Sequence, residues 1–183
     1  MAYKVLNNVS VKDVTSSDLL SLKTDLLVIV INKNTKDKVV NQLAKDVSSH
    51  LKESGSSVLV PNAKSFNAKN VLLVKGFQDS DQIHKLISMY QSIAQKGNQL
   101  KAKDISIMPG TVYPKGKCEM WLIEMVAKTI ESNVYIFSET CNKTAKKPSV
   151  KKLNILVSSL TKSDLIKAKN AAKKGYAIGE GVN

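Results

Sequence analysis

Residues 26–31, Leu-Leu-Val-Ile-Val-Ile, form an unbroken apolar and mostly β-branched run. Such a run predicts a strand buried on both faces, in the middle of a helix-covered sheet. A turn is expected over residues 32–35. Val39, Val40, Leu43, Ala44, Val47 and Leu51 then recur at helical spacing, with Asp37 near the positive helix start and Gly55 as the stop. Residues 58–60 read as a short strand ended by Pro61, and residues 71–74 as a buried strand closed by Gly76. A helix capped by Ser80 or Asp81 follows, with Ile83, Leu86, Ile87, Tyr90, Ile93 and Ala94 on one face and Gly97 at its end. Residues 105–108 predict a strand stopped by Pro109-Gly110. Residues 119–130 predict a helix striped by Trp121, Leu122, Met125, Val126 and Thr129. A strand over 134–137, a polar connection over 140–152, a strand over 153–157 and a last helix from Lys162 to about residue 182 complete the pattern.

Strands alternating with helices of a few turns imply βα units and a largely parallel sheet. The expected architecture is α/β: three layers, α/β/α, around a mixed, mostly parallel sheet of about six strands. Residues 4–9 are a candidate edge strand. Edge strands are often antiparallel, which would make the sheet mixed.

The last helix carries Ala171, Gly175 and Gly179 four apart, with Ala168 and Ala172 beside them. A glycine inside a helix costs about 1 kcal/mol relative to alanine. Two of them predict that another backbone approaches closely, and the expected partner lies outside this sequence. The chain stops at Glu180-Gly181-Val182-Asn183 without room for a closing turn. It reads as a chain cut at a domain boundary, with a domain over 1–160 and a connecting helix over 161–183.

Composition narrows the function. Apolar residues make up 43%, enough to build a core. No window approaches ~18 consecutive apolar residues, so no membrane span is expected, and the start lacks the apolar run of a secretory signal. Cys118 and Cys141 form no CxxC and pair with no histidine, so a reduced, cytoplasmic protein is expected. The net charge is +13, and all 28 basic residues are lysine. A polyanion partner and an AT-rich codon bias both account for this. Absence of arginine argues against base-specific readout, but lysine suffices for phosphate contacts. Lys143, Lys146, Lys147, Lys151 and Lys152 are the candidate nucleic-acid contacts, with Lys162, Lys167, Lys169, Lys173 and Lys174 on the last helix. A solvated surface is the preferred reading of both groups. No aromatic residues interleave, so base stacking is not indicated.

Catalytic signatures are missing. His50 and His84 are the only histidines, and neither has a ligand-spaced partner. Residues 110–118 follow a strand and precede a helix, as a phosphate loop would. Five residues separate Gly110 from Gly116, however, and Cys118 stands where a hydroxyl should hold magnesium. Pro114 also removes an N–H that such a loop needs. No catalytic residue and no metal ligand is therefore assigned.

The stretch Ala168 to Asn183, ending Ala-Ile-Gly-Glu-Gly-Val-Asn, resembles the segment that leads into the catalytic domain of leucyl aminopeptidases, the cytosol aminopeptidases. Val71-Leu72-Leu73-Val74-Lys75-Gly76 looks like that family's Val-Leu-Leu-Val-Gly-Leu-Gly strand, with Lys75 in place of the usual small residue. Residues 134–137 and the Lys146-Lys147-Pro148 connection fall where the family has a Tyr-x-Phe segment and a variable basic linker.

This resemblance implies a macro-domain-like amino-terminal domain followed by a connector helix. It implies a parent enzyme that removes amino-terminal residues from peptides with two divalent metals, zinc or manganese, in a hexamer. The family's metal ligands and catalytic residues lie beyond Asn183, so this piece is expected to need no cofactor and to show no peptidase activity. Its expected partners are its own catalytic domain, further copies of itself and, as an alternative, DNA, which some bacterial members bind. Likeness to macro domains also raises ADP-ribose binding. That is ranked lower, because those binders carry an Asn-Ala-Ala-Asn run and only Asn62-Ala63 stands here.

Overall fold

The computed structural model describes residues 8–32, 38–77, 83–110, 114–134 and 149–181. The strands are β1 (Asn8–Asp13), β2 (Leu26–Ile31), β3 (Ser57–Pro61), β4 (Asn70–Lys75), β5 (Asp104–Met108) and β6 (Lys152–Val157). They form one sheet in the order β1-β6-β5-β2-β4-β3. Every pairing is parallel except β3 with β4. The helices are α1 (Ser16–Ser21), α2 (Lys38–Asp46), α3 (Ile83–Gln99), α4 (Glu119–Val134) and α5 (Lys162–Gly181).

The apolar run at 26–31 does what its composition requires. Leu26, Val28 and Val30 enter the core shared with α3, α4 and α5. Leu27 and Ile29 enter a second core with Leu19 of α1 and Val40 of α2. Each fully buried Leu, Ile or Val contributes ~1.5–3 kcal/mol, which makes this doubly covered strand the axis of the fold. The three layers and the mostly parallel sheet agree with the sequence pattern.

The edges are arranged differently from expectation. A strand does form at the amino-terminal edge, but it spans Asn8–Asp13, sharing only residues 8 and 9 with the expected 4–9 segment, whose first part lies outside the described residues, and it runs parallel to β6. The antiparallel strand is β3, at the opposite edge, because a short hairpin joins it to β4. Residues 57–75 hold that hairpin, and only antiparallel neighbours can be joined so briefly. The expected strand at 134–137 lies outside the described residues except for Val134, which is the last, buried residue of α4. The Ser80 or Asp81 cap also lies outside them. Helix α1 was not expected. Thr15 caps it, accepting from the Asp18 N–H at 3.3 Å while the Asp18 carboxylate accepts from the Thr15 N–H at 2.9 Å.

Gly97 does not end α3. It lies inside the helix, where a Cβ would stand 2.5 Å from Ile105 Cδ1. The helix closes later. The Ala102 N–H reaches the Gly97 carbonyl and the Lys101 N–H reaches the Asn98 carbonyl, both at 3.0 Å. Lys101 takes the left-handed conformation that this closing motif needs, with φ +52°.

The small face of α5 has its partner within the chain. Ala168, Ala172, Gly175 and Gly179 are buried, a spacing that keeps one stripe on a helix of 3.6 residues per turn. A Cβ on Gly175 would collide with the Glu124 backbone carbonyl, and one on Gly179 would stand 2.8 Å from the Lys128 carbonyl oxygen. The neighbour expected outside this sequence is α4. The two helices run side by side in the same direction. Burial and the nearby Asp164 charge, at the start of α5, raise the pKa of Glu119 at the start of α4.

Candidate functional site

Two ends of the sheet concentrate polar groups. At the carboxyl ends, the chain leaves β2 toward β3 and β4, while it leaves the adjacent β5 toward β6. Neighbouring strands whose exits diverge open a crevice, the usual ligand position in such sheets. Asn32, directly after β2, sits there between Gly76 after β4 and Gly110 after β5. A Cβ on Gly76 would collide with Asn32 Oδ1, and a Cβ on Gly110 would stand 2.5 Å from Asn32 Nδ2. With glycine at both positions the amide has room to lie between them. Tyr90 lies beneath, fully buried. Burial pushes its hydroxyl far above the ordinary range, and a hydrogen bond with the Gly110 backbone offsets this only in part.

The amino ends are built from charge. Asp104, opening β5, accepts the Thr24 hydroxyl at 2.6 Å and the Asp25 N–H at 3.2 Å. Asp25 accepts the Lys103 N–H at 2.8 Å and pairs with Lys69 Nζ at 2.6 Å. Burial raises the Asp25 pKa, but the Lys69 hydrogen bond, the Lys103 N–H and both lysine charges outweigh it, so the net shift is downward. The network continues across one face of the sheet. The Ser106 hydroxyl donates to Thr24 Oγ1 at 3.1 Å, Asn154 donates to Ser106 at 3.1 Å, and Ser10 donates to Asn154 Oδ1 at 2.8 Å. Ser10, Asn154 and Ser106 are register partners on β1, β6 and β5.

Of the five candidate nucleic-acid lysines, Lys143, Lys146 and Lys147 lie outside the described residues. Lys151 and Lys152 are exposed at the amino edge, where both N–H groups point to the Lys103 carbonyl, at 2.7 and 3.2 Å. The α5 lysines are all exposed on a different surface, and Lys167 and Lys174 pair there with Asp164 and Glu124. Lys69 and Lys103 were not singled out from the sequence. The available signal was a lysine directly before each of β4, β5 and β6.

His50 and His84 are exposed, and no three His, Cys, Asp or Glu side chains converge to hold a metal among the described residues. In the loop-like segment, Lys117 donates to the Pro114 carbonyl at 2.9 Å across a turn with Gly116 at φ +75°. The Lys117 ammonium then lies 5.6 Å above the Trp121 ring. Cys118 is exposed and unbridged. These residues form a turn that starts α4. No described helix is long and apolar enough to cross a membrane.

No family model and no curated protein sequence matches this chain. Solved structures do. A mutant of tomato leucine aminopeptidase matches over 93% of this chain and 36% of its own, with TM-score 0.61 and 19% identity. A bottromycin maturation enzyme, BotP, in complex with Mn matches over 86% of this chain and 30% of its own, with TM-score 0.57 and 13% identity. A Trypanosoma brucei macrodomain in complex with ADP matches over 89% of this chain and 68% of its own, with TM-score 0.55 and 13% identity. At these identities the likeness is one of fold, and it defines a macro-like α/β domain. This chain spans about a third of the length of the two enzymes it resembles.

Proposed function

We propose that this chain is the non-catalytic, macro-like amino-terminal domain of a cytoplasmic, metal-dependent leucyl aminopeptidase. The carrying observation is the fold match to tomato leucine aminopeptidase, which takes in nearly all of this chain and about a third of the enzyme. The Gly181-Val182-Asn183 ending agrees with it, as does the Val71–Gly76 strand. In this reading α5 connects to a catalytic domain that holds two zinc or manganese ions, and the domain contributes to assembly of a hexamer. Reading the gene past codon 183 tests it. An Asn-Thr-Pro-Pro-Asn run followed by clustered Lys, Asp and Glu codons is expected. An immediate stop codon, or hydrolysis of leucine p-nitroanilide by this chain alone with manganese, would overturn it.

A second reading concerns the crevice at the carboxyl ends. Asn32 sits between Gly76 and Gly110 at the switch point, and a macrodomain of the same fold is known with ADP bound. An ADP-containing ligand would take this position. Calorimetry with ADP-ribose is the test: heat that Asn32→Ala removes supports the reading, and absence of heat at millimolar ligand ends it.

A further inference from the structure

We infer that a groove along α4 is a docking site for an acidic amphipathic helix of a partner protein. The groove is lined by α3, α4 and α5 and measures about 350 Å³. Its floor is apolar: Ile87 of α3, Trp121 and Met125 of α4, and Ile178 of α5. Ile178 is 36% exposed, one of two large apolar side chains open to solvent among the described residues. Trp121 packs on the core and also lines the groove. On α4 the lining runs from Trp121 to Asn133, ~18 Å at 1.5 Å per residue. That length seats about three turns of a second helix, with side chains at i, i+4 and i+7 as its anchors. Tryptophan and methionine are the side chains that such seats use, one for contact area and the other for adaptable fit.

Charge decides the occupant. The chain carries +13, so a second copy of itself is repelled. The groove has the same sign. Lys128 lines it, and the Lys117 ammonium stands 5.6 Å from the centre of the Trp121 ring. Neither lysine pairs with a carboxylate among the described residues. Helix α3 has no acidic residue. On the other two helices, Glu124 lines the groove but is paired with Lys174 at 3.1 Å. Glu131 is buried against Gly179. At ~100° per residue, Glu119 falls on the opposite side of α4 from Trp121, and Glu180 on the opposite side of α5 from Ile178. Asp164, at the start of α5, is bonded to Thr161 and Lys167. The remainder is positive, so the segment that fits is apolar along one stripe and acidic beside it. A concave seat of this length suits a helix better than a flat lipid surface. The site lies on the helical layer, away from the strand ends, and stands whether or not the aminopeptidase reading holds.

Trp121 is the only tryptophan, so its emission reports occupancy directly. The ligand for the test is a four-turn helical peptide without tryptophan, with leucine at i, i+4 and i+7 and glutamate on its other faces. Titration at low salt should move the emission to shorter wavelength, with a dissociation constant under ~100 μM. Lys128→Glu should weaken binding roughly tenfold, and Ile178→Ser roughly fivefold. Lys169→Glu makes the same charge change about half a turn around α5 from Ile178, and should alter affinity less than about twofold. All three positions are exposed, and circular dichroism checks that each variant is folded.

An emission that stays constant up to ~1 mM peptide would overturn the proposal. So would equal affinity for a peptide of the same composition in scrambled order, or equal losses in Lys128→Glu and Lys169→Glu. Tighter association with phosphatidylserine vesicles than with the peptide would make this a lipid-facing surface instead. A dimer in sedimentation that Ile178→Ser dissolves would make it a self-contact. Either result also ends the proposal.

Discussion

The two ends of the same parallel strands solve opposite problems. At the carboxyl ends, space is the limiting quantity. One amide, Asn32, is fitted between two glycines. At the amino ends, charge is the limiting quantity. Asp25 and Asp104 tie together strand entries roughly 80 residues apart in sequence, and the lysines around them face solvent. A methyl group should therefore be more disruptive at one end, and a lost charge at the other.

Three substitutions sharpen or break this contrast. The largest effect belongs to Asp104→Ala, which strands the Thr24 hydroxyl and the Asp25 N–H. Because Thr24 is 6% exposed, the loss should be about 3 kcal/mol in urea unfolding, with an unchanged slope. A loss under ~1 kcal/mol would mean that water replaces the carboxylate. Next is Gly76→Ala, expected to cost about 2 kcal/mol by pushing on the Asn32 amide. In an Asn32→Ala background most of that cost should vanish, a coupling of ~1 kcal/mol or more. Additive costs would place the obstruction elsewhere, with Val30 Cγ1 at 3.0 Å the next atom in line.

The smallest effect is a pH dependence. The folded pKa of Asp25 is lowered from its ordinary 3.8. Its contribution is therefore complete above that value and lost as pH falls through the folded one. Asp25→Asn should cost about 1 kcal/mol near neutral pH, after allowance for solvent screening. The difference from the natural chain should shrink below pH ~3.8. A difference that stays constant down to pH 2 would show that Asp25 acts through shape rather than charge.

Most of the scaffold was legible because its strands are buried twice. An unbroken run such as Leu26–Ile31 or Val71–Val74 has few other uses, and the helices between announce themselves by periodicity. What escaped depends on pairing across the chain. Gly97 looks like a stop until β5 is laid against α3. The antiparallel strand was expected at the wrong edge, since register and hairpin geometry decide it. The Asp25–Asp104 contact has no local signature. Thr15-Ser16-Ser17-Asp18 did carry one, the same cap-and-carboxylate spacing that Thr161 and Asp164 use to start α5. The small face of α5 was read correctly as a close contact, but sequence gave no means to tell that α4 supplies the other side.

That contact has a consequence for how this domain can vary. Where α4 and α5 meet, main chain rests on main chain, so the geometry owes little to which side chains surround it. A saturation scan of α5 should return a helix tolerant on its exposed positions and restricted to small residues at Ala168, Ala172, Gly175 and Gly179, most strictly at the two glycines. A pair of helices held in this way can drift far in sequence while its shape stays fixed. That is one physical route by which a fold remains recognisable at 13 to 19% identity.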